Sequence, residues 1–326
     1  MSAFEAPAAR PLVTIGLCTY NRLKATLPQA LASALAQSSH DVEVLVCDNA
    51  SEDGTDVFMA TQTDPRLRYH RHPKNIGANA NFNSALAMAR GRYFLMLSDD
   101  DLVDPDLVER VAVALDGDEP GVLLTGSRVI DASGHVTALT QAPPSGLRPA
   151  ELFDAWFARQ ISFYLCTTLF HTDRLRAAGG FSTPENLLQD VVAIAVVASR
   201  HGYGSVPGIG GSFRRHPGNR GTAIHTLRWL TDSEYLLEVL RSTFPNDAAR
   251  LGEAGAPYLA RKCYRYVAAN PSWRERRTLY RTIHDRLGGS YVPWRFRVDR
   301  WRRAAKAWLR DRIRRGARAQ GTVDGL

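Results

Sequence analysis

The sequence is poor in the devices that mark stapled, membrane-spanning or nucleotide-hydrolysing proteins. Its four cysteines, Cys18, Cys47, Cys166 and Cys263, are widely spaced and form no CxxC pair. Neither a disulfide scaffold nor a thiolate zinc site is indicated, and a reducing cytoplasm fits. No run approaches the roughly 18–20 apolar residues needed to span a bilayer. The opening "MSAFEAPAARP" lacks the basic-then-apolar pattern of a signal peptide. A soluble or at most peripheral chain is therefore expected. Phosphate loops are missing too: the first apolar run is followed by "TYNRLK", and neither GxGxxG nor GxxxxGK[ST] occurs. That disfavours an NAD-dependent enzyme and a P-loop NTPase.

What charge there is sits at one end. The formal net charge is +8, yet residues 295–318 alone hold eleven Lys/Arg against two Asp, so the remainder is close to neutral. The positive charge speaks for a partner of the tail and not for a nucleic-acid-binding body.

Strand-like and helix-like segments alternate through the first 130 residues. Strands are expected in 12–22, 42–54, 67–72, 93–100 and 121–130, with helices over 23–37, 75–91 and 104–115 between them. The strands read as continuous apolar runs, which predicts an α/β fold with a mostly parallel sheet covered on both faces. The second half is less regular. It offers a Pro/Gly loop and a short aromatic helix in 136–160, then strand, helix and Gly turn in 163–181. A buried helix spans 189–202, a short strand and a Gly-rich basic loop fill 203–221, and 225–290 is mainly helical.

Polar residues collect at the C-terminal ends of the first, second and fourth strands, where open α/β sheets place ligands. The sharpest case is "YFLMLSDDDLVDP", a buried-strand run that ends in Asp99, Asp100 and Asp101. Carboxylates crowded at such an edge suggest a hard divalent cation held together with phosphate oxygens. A charged helix start, an Asx turn and a solvated loop are the alternatives. Asp104 and Asp106 can serve the helix that begins near Pro105 without help from the triplet. At the end of the second strand, Asp48 can accept from a ribose hydroxyl or a base N–H, or begin a turn.

Five segments in order carry a family resemblance across about residues 12–220. They are "VTIGLCTYNR", "VEVLVCDNASEDGT", "NIGANANFNSAL", "YFLMLSDDDLVDPDLVE" and "QDVVAIAVVASRHG". The chain resembles a family 2 glycosyltransferase of the GT-A fold: inverting, metal-dependent and supplied by a nucleotide-diphosphate sugar. The resemblance implies that Thr19, Tyr20 and Arg22 line the base and phosphate region and that Asp48 faces base or ribose. Asn75 and Gly77 would belong to a loop closing over the nucleotide, with Asn81 and Asn83 as weaker candidates. Asp99 and Asp101 would form the DxD pair, Asp101 as the direct metal ligand and Asp99 nearer the ribose or sugar. The triplet blurs that register by one residue, so Asp100 stays a candidate.

Asp190 is the implied catalytic base, able to deprotonate an acceptor hydroxyl; the residue also suits an N-cap or a first helical turn. Arg214, Arg215, His216 and Arg220 surround glycines in a loop that could fold over a diphosphate, His216 being a metal or phosphate contact. "HTLRW" keeps Arg228 and Trp229 of a motif found in processive members but has His225 in place of Gln, which implies addition of one sugar. The cofactor implied is Mn²⁺ or Mg²⁺. The donor is a UDP-, dTDP- or GDP-linked sugar, and the acceptor bears a hydroxyl. Phe153, Trp156, Phe157, Phe163 and Tyr164 could stack on that acceptor or fill a core.

Five regions are expected: a flexible N-terminus (1–11), a nucleotide-sugar half (12–130), an acceptor half (131–221), a helical extension (222–290) and a basic tail (291–326). In residues 292–318, Trp294, Val298, Trp301, Ala305 and Trp308 recur at spacings of three and four among arginines. That pattern fits an amphipathic helix on an anionic membrane surface, or one packed on the body. Nucleic acid is disfavoured as a partner, and a homodimer stays open. The expected place is the cytoplasm, with the inner face of the cell membrane as the site of any membrane contact. A sugar nucleotidyltransferase and a catalytically degenerate scaffold protein are the alternative functions.

Overall fold

The computed structural model describes residues 10–216, 226–267 and 272–288. Arg220, His225 and the amphipathic segment 292–318 lie outside the described residues. The chain runs β1 (Val13–Thr19), α1 (Leu27–Leu35), β2 (Val42–Asp48), α2 (Thr55–Ala60), β3 (Leu67–Arg71), α3 (Ala78–Met88) and β4 (Tyr93–Ser98). It continues through β5 (Leu102–Val103), α4 (Leu107–Leu115), β6 (Val122–Ile130), β7 (Val136–Thr140), α5 (Pro149–Phe157) and β8 (Thr168–His171). After α6 (Thr172–Ala177), α7 (Gln189–His201) and β9 (Tyr203–Arg214) come α8 (Thr226–Thr243), α9 (Ala248–Val267) and α10 (Trp273–Leu287).

Every residue of β1 and β2 is buried, because both faces of the sheet are covered. Val13, Ile15 and Leu17 pack with Val44 and Val46 on the side of α1 and α4. Cys18, Leu45, Cys47, Phe94 and Met96 join α3, α5 and α7 on the other. A strand covered on both sides needs apolar residues at odd and even positions alike, which is why these strands read as runs.

The described strands form one sheet in the order β3-β2-β1-β4-β8-β6-β9-β5, with β7 on the outer part of β6. It is mostly but not purely parallel. β1, β2, β3 and β4 run parallel, as do β6 and β9, but β8 enters antiparallel between β4 and β6. The short apolar run "TLFH" carries no signal of direction, so the joint between the two parallel pieces was invisible in the pattern.

The Gly-rich stretch also departs from expectation. Residues 203–214 are one long strand and not a strand followed by a loop. Its glycines serve close packing: a Cβ on Gly210 would strike the Thr125 side chain, and one on Gly211 the carbonyl of Leu102. The short β5, β7 and α2 were likewise missed.

The helical extension is not a separate body. Trp229, Leu230, Leu236 and Leu240 of α8, with Leu251 and Leu259 of α9, share one core with α7. Among the described residues no helix is long and apolar enough to cross a membrane.

Candidate active site

The parallel register brings three strand ends level. Thr19 lies opposite Asp48, and Cys18 opposite Ser98, so the loops after β1, β2 and β4 leave from one edge. At that edge the Tyr20 N–H donates to Asp99 Oδ2 at 3.2 Å. Burial, reinforced by the neighbouring charge of Asp100, pushes the Asp99 carboxyl up to about 6.

The three aspartates then part company. Asp101 is buried and accepts the Arg214 N–H at 2.8 Å. Burial first, and the charge of Asp100 second, lift its carboxyl well above the usual range. Asp100 turns toward His216, whose Nε2 lies 2.9 Å from Asp100 Oδ2. The structure thus gathers Thr19, Tyr20, Asp99, Asp100, Asp101, Arg214 and His216 into one neighbourhood.

Several residues of the edge already have protein partners. Asp48 is fully buried: Oδ1 accepts the Ser51 N–H at 2.9 Å, Oδ2 accepts the Tyr69 hydroxyl at 2.7 Å, and Arg71 Nε lies 3.6 Å away. Asn75 Oδ1 accepts from Asn49 Nδ2 at 2.9 Å and from the Gly77 N–H at 2.8 Å. Gly77 takes φ +85, a left-handed backbone that side-chain-bearing residues rarely adopt. Asn81 donates to the Cys47 carbonyl and Asn83 to that of Phe181, so both tie α3 to its neighbours.

Arg214 is not an arginine of an open loop. It ends β9, is buried, and donates through Nε to the Asp100 carbonyl (2.8 Å) and through Nη2 to Gln29 Oε1 (3.1 Å). Its neighbour Arg215 is exposed, as is Tyr20, while Arg22 is half-buried.

Sequence reasoning passed over the residues that fasten the turn after β1. The Ser51 hydroxyl accepts the Asn21 N–H at 2.9 Å, Asp53 Oδ2 accepts the Leu23 N–H at 2.8 Å, and Asn21 Oδ1 accepts the Glu52 N–H at 2.8 Å. Their signal was present in "DNASEDGT". Tyr69 and Arg71 had none, because β3 gives no hint of which side chains reach β2. The roles suggested for Asp104 and Asp106 also differ. Asp104 is ion-paired with Arg128, and Asp106 precedes α4 without a capping hydrogen bond, pairing instead with Arg110 at 3.0 Å.

Asp190 comes from a different element. It lies in the first turn of α7 and not at the N-cap, which is Leu188. Burial raises its carboxyl, against the Val191 N–H and the positive charge of Lys262. Lys262, from α9, sets its Nζ 3.9 Å from the centroid of the Trp229 ring. Burial pushes this lysine down to about 8, against the attraction of Asp190. Phe153, Trp156, Phe157 and Phe163 are buried and packed on one another and on Tyr258, so they fill a core. Tyr164 stacks on Phe213 at 4.3 Å.

Among the described residues no three His, Cys, Asp or Glu side chains converge as a metal-ligand set. The donor chemistry still suits a hard cation. Asp101 is a buried and Asp99 a half-buried carboxylate, each with a raised proton affinity that a nearby positive charge would relieve, and Mg²⁺ commonly binds one or two carboxylates while phosphates and water complete its shell.

Comparison with known proteins bears on the domain and its fold. A 125-residue stretch is 34% identical to the succinoglycan biosynthesis protein ExoO of Rhizobium meliloti (strain 1021), covering 38% of this chain and 36% of ExoO. A 101-residue stretch is 37% identical to chondroitin synthase of Escherichia coli, covering 30% of this chain and 14% of that enzyme. The chain thus matches well under half the length of either relative. The crystal structure of S. aureus TarS 1–349 in complex with UDP-GlcNAc superposes with a TM-score of 0.55 at 17% identity, over 86% of this chain and 93% of that one. That likeness shows the GT-A-like fold. Residues 14–173 match the model of the family described as Glycosyl transferase family 2, and this stretch is a domain of that family.

Proposed function

We propose that the chain is an inverting, metal-dependent glycosyltransferase that moves one sugar from a nucleotide-diphosphate sugar to an acceptor hydroxyl. The observation that carries this reading is the level edge of β1, β2 and β4 within the family domain, where the Tyr20 N–H meets Asp99, the first of the three aspartates. Thr19, Tyr20 and Arg22 would border the nucleotide. Asp48 and Asn75, whose polar atoms are engaged by neighbours, would hold the loops of that border in place. Gly77 would turn the second of those loops.

Asp101, with Asp99, would hold Mn²⁺ or Mg²⁺, which when bound screens the negative charge of the departing diphosphate. His216 would fix Asp100 beside them. Asp190 would accept the proton of the acceptor hydroxyl. The acceptor oxygen then forms its bond to the anomeric carbon as the bond to the diphosphate oxygen breaks, and attack from the opposite face inverts the configuration. The raised proton affinity of Asp190, caused by its burial, suits a general base, since a carboxylate that binds a proton more readily takes one from the acceptor more easily.

Two relatives are named for succinoglycan biosynthesis and chondroitin synthesis, so a growing saccharide, lipid-linked or soluble, is the acceptor class we favour over a small natural product. UDP-GlcNAc, bound in the TarS complex, is the first donor to try. The basic stripe of residues 292–318 supports peripheral contact with an anionic membrane on the cytoplasmic side.

The test is release of nucleoside diphosphate from UDP-, dTDP- and GDP-sugars, with Mn²⁺ or Mg²⁺ and with chelator. One sugar class is expected to be turned over, with metal required and Asp190→Asn inactive. Full turnover in chelator sinks the metal reading, and full turnover by Asp190→Asn sinks the base assignment.

A further inference from the structure

The helical extension holds no predicted site residue, yet one of its carboxylates is the anchor for the loop that leads into α7. Asp232 of α8 is fully buried. Its Oδ1 accepts the Glu185 N–H at 2.8 Å. Its Oδ2 accepts the Thr183 hydroxyl at 2.6 Å, the Leu187 N–H at 2.7 Å and the Leu188 N–H at 3.2 Å. Four donors from six consecutive residues therefore converge on one side chain from a helix more than 40 residues later in the chain.

The placement is not general scaffolding. Leu188 is the N-cap of α7, and Asp190 follows two residues on in the first turn. Two of the four donors, Leu187 N–H and Leu188 N–H, immediately precede that turn, so the position of Asp232 sets where α7 starts. One turn earlier on the same face of α8, Arg228 is ion-paired with the Glu185 side chain and donates through Nη2 to the Glu185 carbonyl at 3.3 Å. The two α8 side chains thus hold the loop by opposite groups, a carboxylate for its N–H groups and a guanidinium for its oxygens.

A buried carboxylate is costly unless its oxygens are saturated by donors. An amide cannot replace it. Whichever way Asn is turned, its NH₂ would face one of these N–H or O–H donors, leaving buried groups opposed instead of paired.

We propose that Asp232 is a positioning residue for Asp190: the extension fixes the loop that leads into α7 through this charge, and transfer requires α8 as well as the edge of β1, β2 and β4. The inference rests on the reading of Asp190 as the base. A reagent displaced by about 1 Å can lose on the order of 10²-fold in rate, and that loss belongs to the chemical step. The donor edge on β1, β2 and β4 is untouched.

The experiment uses the full chain and the UDP-, dTDP- or GDP-sugar that it turns over with Mn²⁺. For Asp232→Asn we expect turnover to fall about 100-fold with donor KM unchanged, together with faster amide exchange at Glu185, Leu187 and Leu188. Thr183→Val keeps the shape, removes one donor, and should lower turnover several-fold with the same KM; it carries the test if Asp232→Asn does not fold. In the Asp190→Asn background, Asp232→Asn should cost nothing more, because groups acting as one unit are non-additive. Wild-type turnover in Asp232→Asn and Thr183→Val, beside an inactive Asp190→Asn, overturns the inference alone. A rise in donor KM matching the loss of rate overturns it as well. An active Asp190→Asn overturns the base reading, and this inference with it.

Discussion

Asp48 and Asp190 are the same residue at the mouth of an apolar element, one closing a strand and the other opening a helix. Asp48 is fully buried and spends both oxygens on the protein: a backbone N–H, a tyrosine hydroxyl and a nearby guanidinium. Asp190 is half-buried, with the Val191 N–H and the more distant charge of Lys262 to set against its burial. The first is a rivet between β2 and β3. The second keeps capacity to bind a proton. Residue type and position along an element do not separate these two uses; the partners that tertiary structure supplies do.

The comparison breaks most visibly at Asp190. Asp190→Asn should lower turnover by about 10²–10⁴-fold, the range of a lost general base, with the urea midpoint of unfolding unmoved. Asp48→Asn should do the reverse. Its amide cannot accept from Ser51, Tyr69 and Arg71 together, so stability should fall by about 2–3 kcal/mol, read as a lower urea midpoint at unchanged slope. Donor affinity would then weaken only as far as the turn around Ser51 loosens.

A smaller effect sharpens the same contrast within one dipeptide. Arg214 is buried and bonded to the Asp100 carbonyl and to Gln29, while Arg215 is exposed. Arg214→Met should cost about 2 kcal/mol of stability and Arg215→Met less than about 0.5 kcal/mol. Equal effects in thermal unfolding would mean that the end of β9 is looser than its hydrogen bonds indicate.

Much of this architecture was legible in the sequence, and the misses share a cause. Continuous apolar runs announced β1, β2 and β4, because a strand covered on both faces has no polar side to show. The level of their ends followed from parallel pairing. The direction of β8, four residues long, left no trace. The glycines of β9 read as a loop because sequence shows flexibility of the backbone but not the neighbours, Thr125 and Leu102, that demand a missing side chain. The triplet was legible as a cluster. Its division was not: Asp101 to Arg214, Asp100 to His216 and Asp99 to Tyr20 are contacts with residues more than 70 positions away. Asp232 had no signal either, since an aspartate in a helix usually lies in solvent.

Lys262 tests the reagent side of the comparison most finely. Its positive charge favours the ionised form of Asp190, so Lys262→Met should raise the proton affinity of Asp190 further. The acidic limb of turnover against pH then moves to higher pH. Because Lys262 itself titrates at about 8, the mutant and wild-type profiles should converge above that pH, where the wild-type lysine is neutral. Stability should move the other way. A lysine depressed from 10.5 to about 8 contributes fully only above its unfolded value and loses that contribution as pH falls through about 8. At pH 7 the folded wild type therefore carries a strained ammonium against Trp229, offset in part by the cation–π contact. Lys262→Met should melt slightly higher at pH 7 while turning over more slowly on the acid side, and the melting gain should vanish above about pH 10.5. An acidic limb that stays in place would separate Lys262 from Asp190 and leave the lysine as packing for Trp229 alone.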